Sequence, residues 1–158
     1  MTIQIAVIGG QVAGPSEAVA AEAVGFALAS SGATVVCGGL GGVMEAACRG
    51  AKQAGGLTVG LLPGSDPRDA NPWLDVVVPT GLGEARNALV VASAAAVVAV
   101  DGEHGTLSEI AFALRAGKPV VGVGTWSLIR PDGSMEDGII RVDDPAEAAS
   151  IAIARGSG

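Results

Sequence analysis

Six short aliphatic runs limit what this chain can become more than any other feature: Ile3 to Ile8, Thr34 to Cys37, Leu57 to Leu62, Leu74 to Val78, Ala95 to Val100 and Pro119 to Val123. Each is almost continuously apolar instead of alternating. That pattern belongs to strands covered on both faces, as in a parallel sheet. The stretches between them read as crossover helices. The first starts at Pro15, whose fixed φ suits a first helical position, and stops near Gly32, with Val19, Ala23 and Phe26 on one face. Others run from about Gly42 to Ala54, Glu84 to Ser93 and Thr106 to Ala116. A last helix after Asp144-Pro145 carries Ala148, Ile151 and Ala152 along one stripe. The expected fold is therefore α/β: a single doubly wound, Rossmann-like, mostly parallel sheet with helices on both faces. With 158 residues, one domain over 1–155 and a flexible tail over 156–158 account for the chain. Two turn-rich loops, "GSDPRDANPW" (64 to 73) and "WSLIRPDGSMEDG" (126 to 138), are of the kind that rim binding sites.

Composition removes several function classes. The longest apolar stretch, Ala88 to Val100, is shorter than the ~20 residues of a bilayer span. The start "MTIQIAVIGG" has no basic segment ahead of its apolar run, so a cytoplasmic, membrane-free protein is expected. A net charge of −7 with scattered basic residues lacks the footprint of a nucleic-acid binder, though a few amides and one arginine suffice for a small anion. Cys37 and Cys48 read as small buried hydrophobes. One His and no Cys-x-x-Cys or His-x-x-x-His spacing predict no bound transition metal.

Chemistry is expected at three strand-to-helix junctions rich in glycine: "VIGGQVAGPSE", "VVCGGLGGVMEAA" and "VVAVDGEHGTLSE". Glycine lets backbone approach a ligand, and free amides at a helix start favour an anion. Any α/β domain needs such turns for topology alone, so one junction means little; three on one sheet edge mean more. Known phosphate fingerprints do not fit. Gly9-x-x-x-x-Gly14 is followed by Pro15-Ser16, without the lysine of a Walker A loop, and Met44 stands where a dinucleotide fingerprint has its third glycine.

Three segments, "CGGLGGVMEAACRGAKQAGGLTVGLLPG" (37 to 64), "TGLGEARNALVVASA" (80 to 94) and "GTLSEIAFALRAGKPVVGV" (105 to 123), resemble in order and spacing the LOG superfamily, long labelled "lysine decarboxylase-like". The superfamily holds cytokinin-activating phosphoribohydrolases and a shorter branch that includes molybdenum-cofactor carrier proteins; "NPW", "PTGLGEARN" and the compact length resemble that branch. The resemblance implies catalytic roles for Arg86 and Glu109 and a phosphate-holding role for Thr106. The three junctions put forward Gly9, Gly10, Gly39, Gly41, Gly42, Gly102 and Gly105 as ligand or phosphate contacts, with Asp101, His104 and Asn87 as further candidate ligand contacts. A carboxylate that stabilises oxocarbenium character and orients water suits N-glycosidic cleavage, and an arginine suits a phosphate clamp. For Arg86 and Glu109 a buried or capping ion pair is the competing structural role.

The chain departs from the catalytic pattern. The "MHxRK" segment has lost its His and Lys, and "PGGxGT" reads Asp101-Gly102-Glu103-His104-Gly105-Thr106. A carboxylate ~6 Å from a phosphate, at an effective dielectric of ~20, repels each unit of its charge by about 3 kcal/mol. A helix start returns only roughly 0.3–1 kcal/mol. A loop with both acids facing the ligand does not hold phosphate unaided; Glu103 turned to solvent, or Asp101 bonded to ligand hydroxyls, relieves the conflict. Lysine decarboxylation is excluded because neither Lys52, in a helix, nor Lys118, in a helix-to-strand turn, sits at a strand's carboxyl end where a Schiff base would form. The expected function is binding of a phosphorylated nucleotide or pterin, with no cofactor required and molybdopterin as a candidate cargo. Nucleoside 5′-monophosphate phosphoribohydrolase activity is the alternative. Alanine-rich helices over 84–93 and 106–116, with only 16% charged residues, predict a homo-oligomer, a dimer or tetramer.

Overall fold

The computed structural model describes residues 1–158. Seven strands form one sheet: β1 (Gln4–Gly9), β2 (Thr34–Cys37), β3 (Thr58–Leu62), β4 (Val76–Pro79), β5 (Ala96–Val100), β6 (Val120–Val123) and β7 (Ile139–Arg141). Their order is β4-β3-β2-β1-β5-β6-β7 and every pairing is parallel. The five helices are α1 (Pro15–Ser30), α2 (Val43–Gln53), α3 (Arg86–Ala92), α4 (His104–Arg115) and α5 (Pro145–Gly156). The doubly wound architecture read from the sequence is the one found. The final helix runs one residue past 155, through Gly156, which packs on Ala95, Ala96 and Ile3.

Two apolar layers follow from the unbroken strands. Residues of alternating parity on β1, β2 and β5, such as Ile5, Val7, Val35 and Val98, pack with α1, α2 and α5. Ala6, Ile8, Val97 and Ala99 face the other way, onto Val90 and Val91 of α3 and Ile110 and Ala113 of α4. The chain order reverses between β1 and β5. The carboxyl ends of those two strands, with the loops that leave them, therefore form the crevice where ligands bind in open α/β sheets.

Three expectations change. β4 is not covered on both faces: it is an edge strand whose Val76 and Val78 remain about two-fifths exposed. β7 was missed because three residues behind an acidic loop give no periodic signal. It closes the other edge, beyond a loop in which Ile129 and Met135 make an isolated antiparallel bridge. On α1 the face carrying Val19, Ala23 and Phe26 points outward; Ala21, Val24, Gly25, Leu28 and Ala29 are the buried ones. α1 is apolar nearly all round, so composition alone could not choose its inner face.

Backbone proximity chose it. α1 and α2 meet through Gly25 and Gly50: a β-carbon on Gly25 would overlap the Ala47 carbonyl, and one on Gly50 the Glu22 carbonyl. The Arg49–Glu22 ion pair, 2.7 Å long, brackets this contact. Gly25→Ala or Gly50→Ala is expected to force the helices apart and to cost roughly 1–3 kcal/mol or more. Thermal unfolding would then begin lower by roughly 2–4 °C per kcal/mol, whereas Ser30→Ala, on exposed helix surface, leaves it unchanged.

Candidate functional site

β1 ends in Gly9 and Gly10 because nothing larger fits there. A β-carbon on Gly9 would strike Val43, the first residue of α2, and the Val100 carbonyl. Gly10 in turn accepts the amide of Val43 at 3.0 Å. Gly42, at φ 63°, leaves no room for a side chain against the Gly10 and Gln11 backbone. The first two junctions are thereby fitted to each other. The third is α4, whose early amides are free of intrahelical partners.

Between these junctions lies a cleft of about 260 Å³. Gly9, Gly10 and Gln11 line one side, and Glu103, Gly105, Thr106 and Glu109 line the other. Leu40, Met44 and Pro63 contribute apolar wall, and Glu84, Arg86 and Asn87 complete it. Of the residues expected from the sequence, Gly9, Gly10, Arg86, Asn87, Gly105, Thr106 and Glu109 are brought together here. Gly39, Gly41, Gly42 and Gly102 instead shape the loops behind the wall: Gly39 lies against Leu62 and Gly60, and Gly102, at φ 117°, against Thr106.

Asp101 and His104 do not reach the cleft. Asp101, at φ 50° the one non-glycine residue in the left-handed region, borders a separate small cavity with Ser16 and Glu17. Its backbone is fixed from both sides, the amide donating to the Val123 carbonyl and the carbonyl accepting from Thr125 Oγ1 at 2.6 Å. His104 is exposed and packs on Trp126, ring centroids 5.9 Å apart. Of the two acids in the altered phosphate loop, only Glu103 borders the cleft. Trp126 Nε1 donates to the Glu103 carbonyl, so the 126–138 loop rests on the start of α4.

Arg86 is the centre of the site. Although it begins α3, it is 7% exposed. Its Nη1 donates to Asn87 Oδ1 and its Nη2 to the Gly38 carbonyl at 3.1 Å. Asn87 Nδ2 donates to Ser108 Oγ, which donates to the Gly105 carbonyl at 2.6 Å, tying Arg86 to the first turn of α4. Arg86 Nε is buried without any partner. A β-carbon on Gly38 would lie 2.6 Å from Nη2 and 2.8 Å from Met44 Sδ, so Gly38 gives the guanidinium its seat.

Glu109 is 6% exposed and makes no direct ion pair with Arg86. Burial pushes its carboxyl up to about 8, against the pull of Arg86 and with a smaller push from Glu84. Burial also holds Arg86 below its ordinary value, while Glu109 raises it. At neutral pH the buried pair is thus a charged guanidinium beside a neutral acid. Neither lysine enters the cleft. Lys52 pairs with Asp75 at 2.7 Å, and Lys118 caps the carbonyls of Val91, Ala92 and Ala94 at the end of α3.

Sequence reasoning passed over Gln11, Leu40, Met44, Pro63 and Glu84, which carry no diagnostic chemistry, and over Asn71. Asn71 donates its amide to the Gly39 carbonyl and its side chain to that of Leu40, bracing the glycine loop from the 64–73 loop. The "NPW" motif was the available signal for this brace.

Comparison with known proteins agrees with the fold. A family model described as the SLOG cluster4 family matches residues 2–149. An uncharacterized protein of Archaeoglobus fulgidus is 43% identical over 118 residues, 75% of this chain and 78% of that one. The molybdenum cofactor binding protein of Rippkaea orientalis superposes with a TM-score of 0.84 at 32% identity, covering 98% of this chain and 96% of that one. The molybdenum cofactor carrier protein of Chlamydomonas reinhardtii gives 0.85 at 32% identity over all of both chains. The fold, the fitted glycine junctions and these matches agree: this chain belongs to the SLOG cluster4 family of LOG-superfamily, Rossmann-fold proteins.

Proposed function

We propose that the protein binds a small phosphorylated ligand, a nucleotide or a pterin such as molybdopterin, in the cleft between β1 and α4. The observation that carries this reading is the unpartnered, buried Nε of Arg86. A buried charged donor without an acceptor costs roughly 1–3 kcal/mol or more, and an anion in the cleft offsets the charge of the guanidinium that lines it. The free amides of α4 and the backbone of Gly10 supply weaker donors around the same space. Structural similarity to molybdenum-cofactor binding and carrier proteins supports the same reading. For a molybdopterin, Arg86 and the α4 amides would hold the phosphate and the Leu40 and Met44 wall would meet the pterin ring; when bound, it would be cargo.

Calorimetric titration with nucleoside monophosphates and molybdopterin tests this, absence of heat with all of them refuting it. Arg86→Lys keeps the charge but removes the planar fork and is expected to weaken binding about 10- to 100-fold, the worth of a charged hydrogen bond. Affinity should also fall as pH rises through about 8, where Glu109 gains its charge and repels the anion. Folding stability should decline from the ordinary carboxyl value of 4.5 up to about 8 and level off above it, because the folded state holds this proton more tightly than the unfolded chain. Glu109→Gln, neutral throughout, is expected to flatten both profiles.

Hydrolysis of nucleoside monophosphates is the second reading, favoured by the Glu109 carboxyl at the cleft with no hydrogen bond in the protein. Its neutral form at pH 7 argues for binding instead, since stabilising an oxocarbenium ion needs the carboxylate. AMP and N6-substituted AMP incubated with the protein should release no free base by chromatography. Release that Glu109→Gln abolishes would replace the binding reading with the enzymatic one.

The protein is proposed to work as a homo-oligomer. Leu82, Leu89 and Phe112, before and on α3 and on α4, are 53%, 41% and 42% exposed. Light scattering at micromolar concentration should return a multiple of 15.3 kDa, and a mass near 15.3 kDa would refute assembly.

A further inference from the structure

Behind the cleft wall the fold collects sulfur. Cys37 ends β2, while Met44 and Cys48, four residues apart, share one face of α2. The three form a small buried cluster of their own, flanked by Leu40 and Leu74. Both cysteines are free thiols, fully buried, with Sγ atoms 3.5 Å apart. Met44 Sδ lies against Gly38, the residue after Cys37, and Met44 also borders the cleft, which gives the cluster a path from solvent. Gly39 donates its amide to Cys37 Sγ at 3.3 Å, a contact that favours charge on that sulfur.

A disulfide needs the sulfurs at about 2.05 Å, a closure of well over an ångström inside packed structure. Two thiolates sharing one metal at ~2.3 Å in a trigonal plane lie roughly 4 Å apart, much nearer the observed spacing. Zinc would want four donors from Cys, His or carboxylate side chains, and no three such groups converge anywhere in the chain. Two thiolates and a thioether are a soft, sulfur-only set, the kind that selects Cu(I).

We propose that Cys37, Cys48 and Met44 form a binding site for one soft monovalent metal ion of the Cu(I) or Ag(I) class, directly behind the glycine loop that walls the ligand cleft. On binding, both thiols release their protons to solvent, two thiolate–metal bonds form, and the thioether donates a lone pair. No electron is transferred. The site then carries one net negative charge, which the nearby guanidinium of Arg86 offsets. Metal binding here does not depend on what the cleft holds.

The reduced, intact protein is to be titrated anaerobically with Ag(I) and read by native mass spectrometry, and with Cu(I) in competition with a chromogenic chelator. One ion per chain, retained against the chelator, is expected. Cys37→Ala and Cys48→Ala should each abolish retention, and Met44→Leu should weaken it roughly tenfold, as for a supporting donor. Copper-edge X-ray absorption of the unsubstituted protein should show sulfur-only coordination, a readout independent of how the variants fold. No retained ion, retention that survives both alanine substitutions, or oxygen and nitrogen in the copper shell overturns the site. So does a metal-free protein that peroxide converts to an internal Cys37–Cys48 disulfide while Ag(I) is ignored; the pair would then be a redox couple.

Discussion

A guanidinium buried at the carboxyl edge of an otherwise apolar sheet governs the rest of the arrangement. Taking a charge out of water is costly unless every donor is met, and Arg86 meets that demand on two of its three nitrogens. Gly38 has no side chain because the guanidinium occupies that space, and its carbonyl points at Nη2. Asn87 and Ser108 pass the constraint to the start of α4, and Asn71 holds the glycine loop from outside. The loops around the cleft thus have one conformation because one cation does.

Electrostatics then narrows what the cleft can do. Glu84, Glu103 and Glu109 surround a single arginine, and a site with all three ionised would repel the anions its amides attract. Burial resolves part of the conflict by keeping Glu109 protonated at neutral pH. The altered phosphate loop resolves another part by turning Asp101 into a different cavity. What remains is a cleft tuned to hold a modest negative charge, with its acid in the form that donates a hydrogen bond instead of the form that stabilises a cation.

Much of this was legible in the residues. Five of the strands announced themselves because doubly covered β-strands are apolar throughout, and Pro15, Gly117 and Asp144-Pro145 marked helix limits closely. Arg86, Glu109 and Thr106 were identified from motif order and the Gly9-Gly10 turn from its glycine-rich strand-to-helix junction, and the fold gathers them. The failures share a cause, the dependence of side-chain direction on tertiary contacts. Whether Asp101 faced the ligand turned on a left-handed φ fixed by Val123 and Thr125. The inner face of α1 turned on where Gly25 met Ala47, and β7 on docking beside β6. The neutral state of Glu109 turned on a burial that no sequence pattern states.

The position of the reversal between β1 and β5 has a consequence for how the molecule comes into being. The Gly9-Gly10 wall of the cleft comes from the first strand and its ionisable groups from residues after 80, and the two halves join where Ile5 lies beside Ala96 and Gly9 beside Val100. That pairing closes a long stretch of chain, the slow kind of step in folding. No partial chain from one side of the reversal contains a cleft, so a nascent chain has no site until most of its length has been made. Any ligand the cleft then takes binds only the closed form and holds the seam shut by mass action. Ligand and fold therefore stabilise each other at one and the same line through the sheet.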